Sequence, residues 1–176
     1  MIDLGNYNIN KISEDDASSL CDLMVSNAER FKRFFPKTLE QNLTLALAET
    51  FTTNKAQEFA AKEEFLYTIK KSKTKKVIGL VYIKELDWEK KQGEFAYCID
   101  SNYEGKGLTS KIVKELSKYA FTNLGLEMLQ IIVHKTNIGS VKVAEKCGYI
   151  WQKVLLNAHT PPNESPLDME LYELYK

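Results

Sequence analysis

The run Tyr103-Glu104-Gly105-Lys106-Gly107-Leu108-Thr109 offers the clearest chemistry in the chain. Two glycines flank a lysine where a strand pattern gives way to an amphipathic helix pattern. Glycine accepts unusual dihedrals and lets main chain approach a ligand closely. The first amides of a helix have no partner within the helix. A glycine turn feeding such an end can cradle an anion of the size of a diphosphate. Lys106 adds a mobile positive charge. A plain glycine turn into a helix would read the same way. The run is not a P-loop, because the glycine-lysine-hydroxyl order is missing. It is not the dinucleotide fingerprint, because no third glycine follows at the required offset. A nucleotide-binding switch is therefore disfavoured.

A second constellation lies further on. Asn137 and Ser140 are three apart and share one face near a helix start. They read either as an N-cap with a first-turn hydroxyl or as a polar pair turned to a ligand. Glu94 begins the strand that leads into the glycine run, on the same face as Ala96 and Cys98. Taken alone it reads as a solvated strand-end carboxylate. Cys98 could suggest a nucleophile, but no histidine is placed to activate it, and buried thiols usually pack. Cys147, just before Gly148, reads as packing too. His134 either lines a cleft or is a satisfied structural histidine. Phe31, Phe34, Phe35 and Tyr149 either shape an acceptor pocket or fill the core.

The elements that must position these residues follow from periodicity. Residues 7–12 alternate as a first strand. Ser13, followed by Glu14, Asp15 and Asp16, suits the positive end of a helix. Thr38, with Gln41 three residues on, suits a capping box for a second helix carrying Leu39, Leu43, Leu47 and Phe51. Residues 65–69, 76–84 and 94–100 are strand patterns. Residues 70–76 read as a solvated hairpin tip. Leu108, Ile112, Leu116 and Ala120 mark a helix over 108–124, stopped by Gly125. Residues 128–134 form a strand and 137–147 a helix stopped by Gly148. Residues 149–156 and 167–175 close the sheet as a long hairpin, with a proline-rich loop over 159–166. This order implies an α/β (α+β) mixed sheet of about seven strands covered by helices, with a parallel pair around residues 94–134.

Bulk composition narrows the function classes. The 176 residues suit a single domain over 1–176. A 44% hydrophobic and 27% charged chain is ordinary for a soluble globular protein. Lys plus Arg (24) equals Asp plus Glu (24), so nothing global points to nucleic acid or an anionic membrane. Cys21, Cys98 and Cys147 are scattered and odd in number, which fits reduced thiols in the cytoplasm. No zinc motif joins them to His134 or His159, so no metal is expected. There is no secretory pattern after Met1 and no apolar run of the roughly 18–20 residues that span a bilayer. Oligomeric state is not readable, and a homodimer stays open.

Taken together, the glycine run and the segment from Asn137 to Gly148 and Tyr149 resemble the two motifs of the GNAT superfamily of N-acetyltransferases. The first is its Gln/Arg-x-x-Gly-x-Gly/Ala signature, and the second its Asn-x-x-Ser-x-x-x-x-x-x-x-Gly-Phe/Tyr. The fit is nearest to the RimJ/RimL-like ribosomal-protein acetyltransferases, which also carry an early aromatic-proline region, here Phe34, Phe35 and Pro36. Glu104 and Thr109 depart from the family's usual residues. The resemblance implies the GNAT fold, with helices on both faces of the sheet, and acetyl-CoA as cosubstrate. It implies cofactor contacts at Tyr97, Cys98, Ile99, Glu104, Gly105, Lys106, Gly107, Leu108, Thr109, Asn137 and Ser140, largely through backbone amides at 104–109. It implies direct attack of a primary amine on the thioester, with Glu94 as base and Ser140 as donor to the leaving thiolate. The implied acceptor is a protein N-terminal α-amine. A small amine such as a polyamine or amino sugar is the alternative, and a non-catalytic acyl-CoA-binding module the competing class.

Overall fold

Residues 65–69 and 77–83 are buried almost without a break, as strands covered on both faces must be. They form the middle of a sheet in a computed structural model that describes residues 1–176. The strands are β1 (Ile2–Asp3), β2 (Tyr7–Lys11), β3 (Phe65–Lys71), β4 (Val77–Asp87), β5 (Gln92–Ile99), β6 (Met128–Val133), β7 (Ile150–His159) and β8 (Leu167–Tyr175). The helices are α1 (Ala17–Ser26), α2 (Ala28–Phe31), α3 (Pro36–Glu40), α4 (Leu45–Ala61), α5 (Leu108–Tyr119) and α6 (Ile138–Lys146). The eight strands follow the order β1-β2-β3-β4-β5-β6-β8-β7. About seven were expected from the pattern. The extra one is β1, a two-residue strand paired antiparallel with β2. It is too short to show alternation. The β5–β6 pair is parallel, as expected, and β8 pairs antiparallel with both β6 and β7.

By contacts the chain divides into two compact units, each drawing on β4 and β5. The first comprises Met1–Tyr82 and Tyr97–Tyr103. Here Ser13 and Asp16 start a helical turn as their types suggest. The Ser13 N–H donates to Asp16 Oδ2 at 3.1 Å, and the Asp16 N–H donates to Ser13 O at 3.0 Å. The expected cap at Thr38 does not form. Pro36 starts α3 instead, at a position where the missing N–H removes no helical bond. Leu43 falls in the turn beyond α3, and Thr44 caps α4, its Oγ1 accepting from Leu47 N at 3.3 Å. Leu43 and Leu47 are exposed. The four-residue series Leu39, Leu43, Leu47 and Phe51 therefore runs over α3, a turn and α4 rather than marking one helix.

The second unit comprises Ile83–Ala96 and Glu104–Lys176. Helix α5 buries Leu108, Ile112, Val113 and Leu116 and exposes Lys111, Lys114 and Lys118. Each such aliphatic side chain contributes about 1.5–3 kcal/mol of transfer free energy when fully buried. The helix runs on through a wider π turn, Ala120–Leu124, and ends at Gly125 with φ +76°, a left-handed stop that glycine adopts without strain. Strand β6 alternates, with Leu129, Ile131 and Val133 buried and Met128, Gln130 and Ile132 half-buried. Strand β7 is exposed over most of its length.

Candidate active site

The glycine turn forms, and its geometry says what the glycines are for. Gly105 and Gly107 have φ of +71° and +72°. A Cβ added at either would meet nothing within 4 Å. The requirement is therefore left-handed backbone, with open space above it, rather than a tight protein contact. Gly107 is the N-cap of α5 and brings no side chain to cap it. Leu108 is buried and pins the start of the helix. Glu104 and Lys106 are exposed and Thr109 is half-buried. No side chain caps the start of α5, and the two glycines leave clear space where side chains would stand, an arrangement compatible with an anionic group such as a diphosphate at this end.

Asn137 and Ser140 are brought together, though the contact is a cap. Asn137 Oδ1 accepts the Ser140 main-chain N–H at 3.2 Å, and the Asn137 N–H donates to His134 O at 2.8 Å. The oxygen serves α6, so the amide nitrogen is the atom that could serve a ligand. Cys147 ties the end of α6 to the first turn of α5, its thiol donating to Ser110 O at 3.2 Å. Burial pushes that thiol up to about 11. His134 is buried with Nδ1 2.7 Å from Thr136 Oγ1, which gives it a structural partner. Tyr149 is core: its hydroxyl lies 2.9 Å from Ser117 Oγ, and both residues are buried.

Glu94 lies on β5 with only 14% of its side chain exposed, and its Oε1 is 2.9 Å from the Lys84 ammonium. Sequence reasoning missed this partner. The ten-residue separation, with a turn between, gave no pattern to find it. The ion pair uses Oε1 and leaves Oε2 as the oxygen for any other contact.

Tyr97, Cys98 and Ile99 belong to the first unit. Cys98 is buried, and burial pushes its thiol up to about 12, which fits packing and not nucleophilic attack. Gly79 makes room for its backbone: a Cβ there would sit 2.7 Å from Cys98 O and 2.9 Å from Ile69 Cδ1. The end of β5 is clamped from α1 and α2. Arg30 donates from NH1 to Ile99 O at 3.3 Å and to Asn27 Oδ1 at 2.9 Å, and the same Oδ1 accepts Ser101 N at 3.1 Å. Of the aromatics, Phe31 is buried, while Phe34 and Phe35 are half-buried. Phe35 lies 6.4 Å from the Tyr82 ring. Thr38 Oγ1 lies 3.0 Å from the Tyr82 hydroxyl.

The chain is similar to known acetyltransferases. The sequence model described as Acetyltransferase (GNAT) domain matches residues 7–150. The spermidine N(1)-acetyltransferase of Escherichia coli K12 is 35% identical over 71 residues, which are 40% of this chain and 38% of that enzyme. This alignment thus covers well under two thirds of the relative's length. The ribosomal-protein-S5-alanine acetyltransferase of Vibrio fischeri superposes with a TM-score of 0.91 at 18% identity, over 99% of this chain and 95% of that one. Mycobacterium smegmatis RimJ, solved in complex with CoA-disulfide, gives 0.86 at 12% identity, over 96% and 81%. These structural likenesses show the fold. With the glycine turn, the Asn137 cap and a match over most of its length, the chain belongs to the GNAT acetyltransferase family.

Proposed function

We propose that this protein transfers the acetyl group of acetyl-CoA to a primary amine by direct attack, with residues 1–176 acting as one catalytic domain. The observation that carries the reading is the turn at Gly105 and Gly107, both left-handed, with clear space where side chains would stand, at the start of α5. Acetyl-CoA supplies an activated acyl carbon and a thiolate leaving group. The amides of residues 105–109 hold its diphosphate, with Lys106 adding charge. The Asn137 amide nitrogen and the main chain of Tyr97, Cys98 and Ile99 orient the pantetheine. Glu94 takes the proton that the acceptor amine must lose to attack. Ser140 donates a hydrogen bond to the departing sulfur. Main-chain N–H groups steady the charge that builds on the carbonyl oxygen. The three free thiols support a reducing, cytoplasmic setting.

A protein N-terminal α-amine is the favoured acceptor. It titrates near about 8, against about 10.4 for a lysine-type amine, so less free energy is needed to deprotonate it at neutral pH. The likeness to RimJ and to the S5-alanine enzyme supports the same reading. A polyamine is the second reading, favoured by the 35% identity to the spermidine enzyme.

The test is CoA release from acetyl-CoA with peptides bearing free N-termini and, separately, with spermidine. Turnover of either amine is expected. Tight acetyl-CoA binding with no turnover on any amine would make the protein a binding module and end the enzyme reading. Glu94→Gln and Ser140→Ala should each slow turnover by roughly ten- to a thousandfold.

A further inference from the structure

One face of the second unit's sheet carries a polar row. Glu94 on β5 stands opposite Gln130 on β6, and Gln130 stands opposite Glu173 on β8. Opposed residues on neighbouring strands share a face. All three are half-buried. The alternate positions Phe95, Leu129 and Ile131 are fully in the core. Partly desolvating three polar side chains in a row costs free energy unless each is engaged.

The bonds along the row set its polarity. Gln130 Nε2 donates to Glu173 Oε1 at 2.9 Å, and the Tyr175 hydroxyl donates to Glu173 Oε2 at 2.7 Å. An ionised carboxylate only accepts, so Glu173 dictates which end of the Gln130 amide faces it. The nitrogen turns to β8 and the carbonyl oxygen turns away from it. On the other flank of Gln130 is β5 with Glu94. The Lys84 ammonium, 2.9 Å from Glu94 Oε1, shows that this carboxylate is already placed to hold an N–H cation.

The geometry points to Gln130 as an acceptor-binding residue, whose carbonyl oxygen and the Glu94 carboxylate form a two-acceptor seat for the N–H groups of a primary amine. Their strands are neighbours, about 5 Å apart. A protonated primary amine carries three N–H donors and can bond both at once. One bond then runs to Glu94 along the path the proton takes. Glu173 and Tyr175 are positioning residues that fix the Gln130 amide. The seat selects primary over tertiary amines, which have too few donors to span it. The inference rests on the proposed acetyl transfer but is read through amine binding and not through the chemical step.

Steady-state kinetics on Gln130→Met and Glu173→Gln test it, with spermidine and an N-terminal alanine peptide as amines. Gln130→Met should raise the amine KM about tenfold, as loss of one hydrogen bond to a charged group does, and leave kcat and the acetyl-CoA KM within about twofold. Glu173→Gln frees the amide to turn and should raise the amine KM about threefold with the same split. An amine KM unchanged in both variants overturns the seat. Equal rises in the KM of amine and of acetyl-CoA make Gln130 merely structural and overturn it too. If Gln130→Met does not fold, Glu173→Gln alone decides by the same split. Glu94→Gln reports separately: unchanged kcat there removes Glu94 as base, while the Gln130 result still judges the seat.

Discussion

The side chain of Asn137 holds the main-chain N–H of Ser140, Oδ1 to N, at 3.2 Å. One residue of the pair is thus the cap of the helix on which the other sits. The oxygen caps α6, so the pantetheine contact proposed for Asn137 falls to the amide nitrogen, and the two roles can be separated by variants. Asn137→Ala removes both and should cost about 0.5–2 kcal/mol of stability along with acetyl-CoA affinity. Asn137→Asp keeps a capping oxygen and loses the donor. It should unfold within a degree or two of wild type while the acetyl-CoA KM rises several-fold. Thermal melts beside acetyl-CoA titrations separate the roles. An unchanged KM in the aspartate variant confines Asn137 to capping.

Gly107→Ala reads the turn in a similar way. No atom lies within 4 Å of the added methyl, so no clash is created, but φ +72° is left-handed. A non-glycine residue there costs about 1–2 kcal/mol. The chain can relieve that strain by reshaping the turn, which would disperse the amides at the start of α5. Acetyl-CoA KM should rise by tenfold or more, with the amine KM little changed. A variant with wild-type acetyl-CoA KM would remove the turn as the diphosphate cradle.

Much of this arrangement is legible in the sequence. The 108–124 periodicity, the stops at Gly125 and Gly148, and the β8 bounds all rest on local signals: four-residue apolar spacing, glycine at the helix ends, and alternation. Thr38 and Gln41 stand at the offset of a capping box, yet Pro36 starts its own helix upstream of them. Glu94 was found by its position on a strand. Its partner Lys84 and the neighbouring Gln130–Glu173 pair were not, because cross-strand neighbours are fixed by register, and register emerges only when the sheet assembles. Tyr149 was kept open as a pocket residue, since nothing local reveals that its hydroxyl meets Ser117 across 32 positions of sequence.

Gly79 holds β4 close to Cys98. A Cβ at this position would lie 2.7 Å from a backbone oxygen, which cannot swing aside as a side chain can. Gly79→Ala should therefore destabilise the first unit by about 1–3 kcal/mol, read as a fall in denaturation midpoint. Because the displaced backbone is that of Cys98 and Ile99, the acetyl-CoA KM should rise as well. The φ of Gly79 is not in the left-handed region, so crowding and not backbone strain is what the variant tests. An unchanged denaturation midpoint in Gly79→Ala would show that the backbone at Cys98 is not crowded by the added methyl.

The cysteines give a test that needs no substrate. Burial pushes the Cys98 thiol up to about 12 and the Cys147 thiol up to about 11. At pH 8 the thiolate fractions are then on the order of one in ten thousand and one in a thousand, and the thiolate is the reactive form. Cys21, half-buried on α1, is the accessible one. A disulfide reagent should label one thiol per native chain quickly, and Cys21→Ser should abolish that phase. Raising the pH should speed the slow labelling of both buried thiols by about the same factor, with Cys147 the faster of the two throughout. Addition of denaturant should expose both at once. Fast labelling of Cys98 in the native protein at pH 8 would contradict its place in the core, and would reopen the nucleophile reading that its burial now argues against.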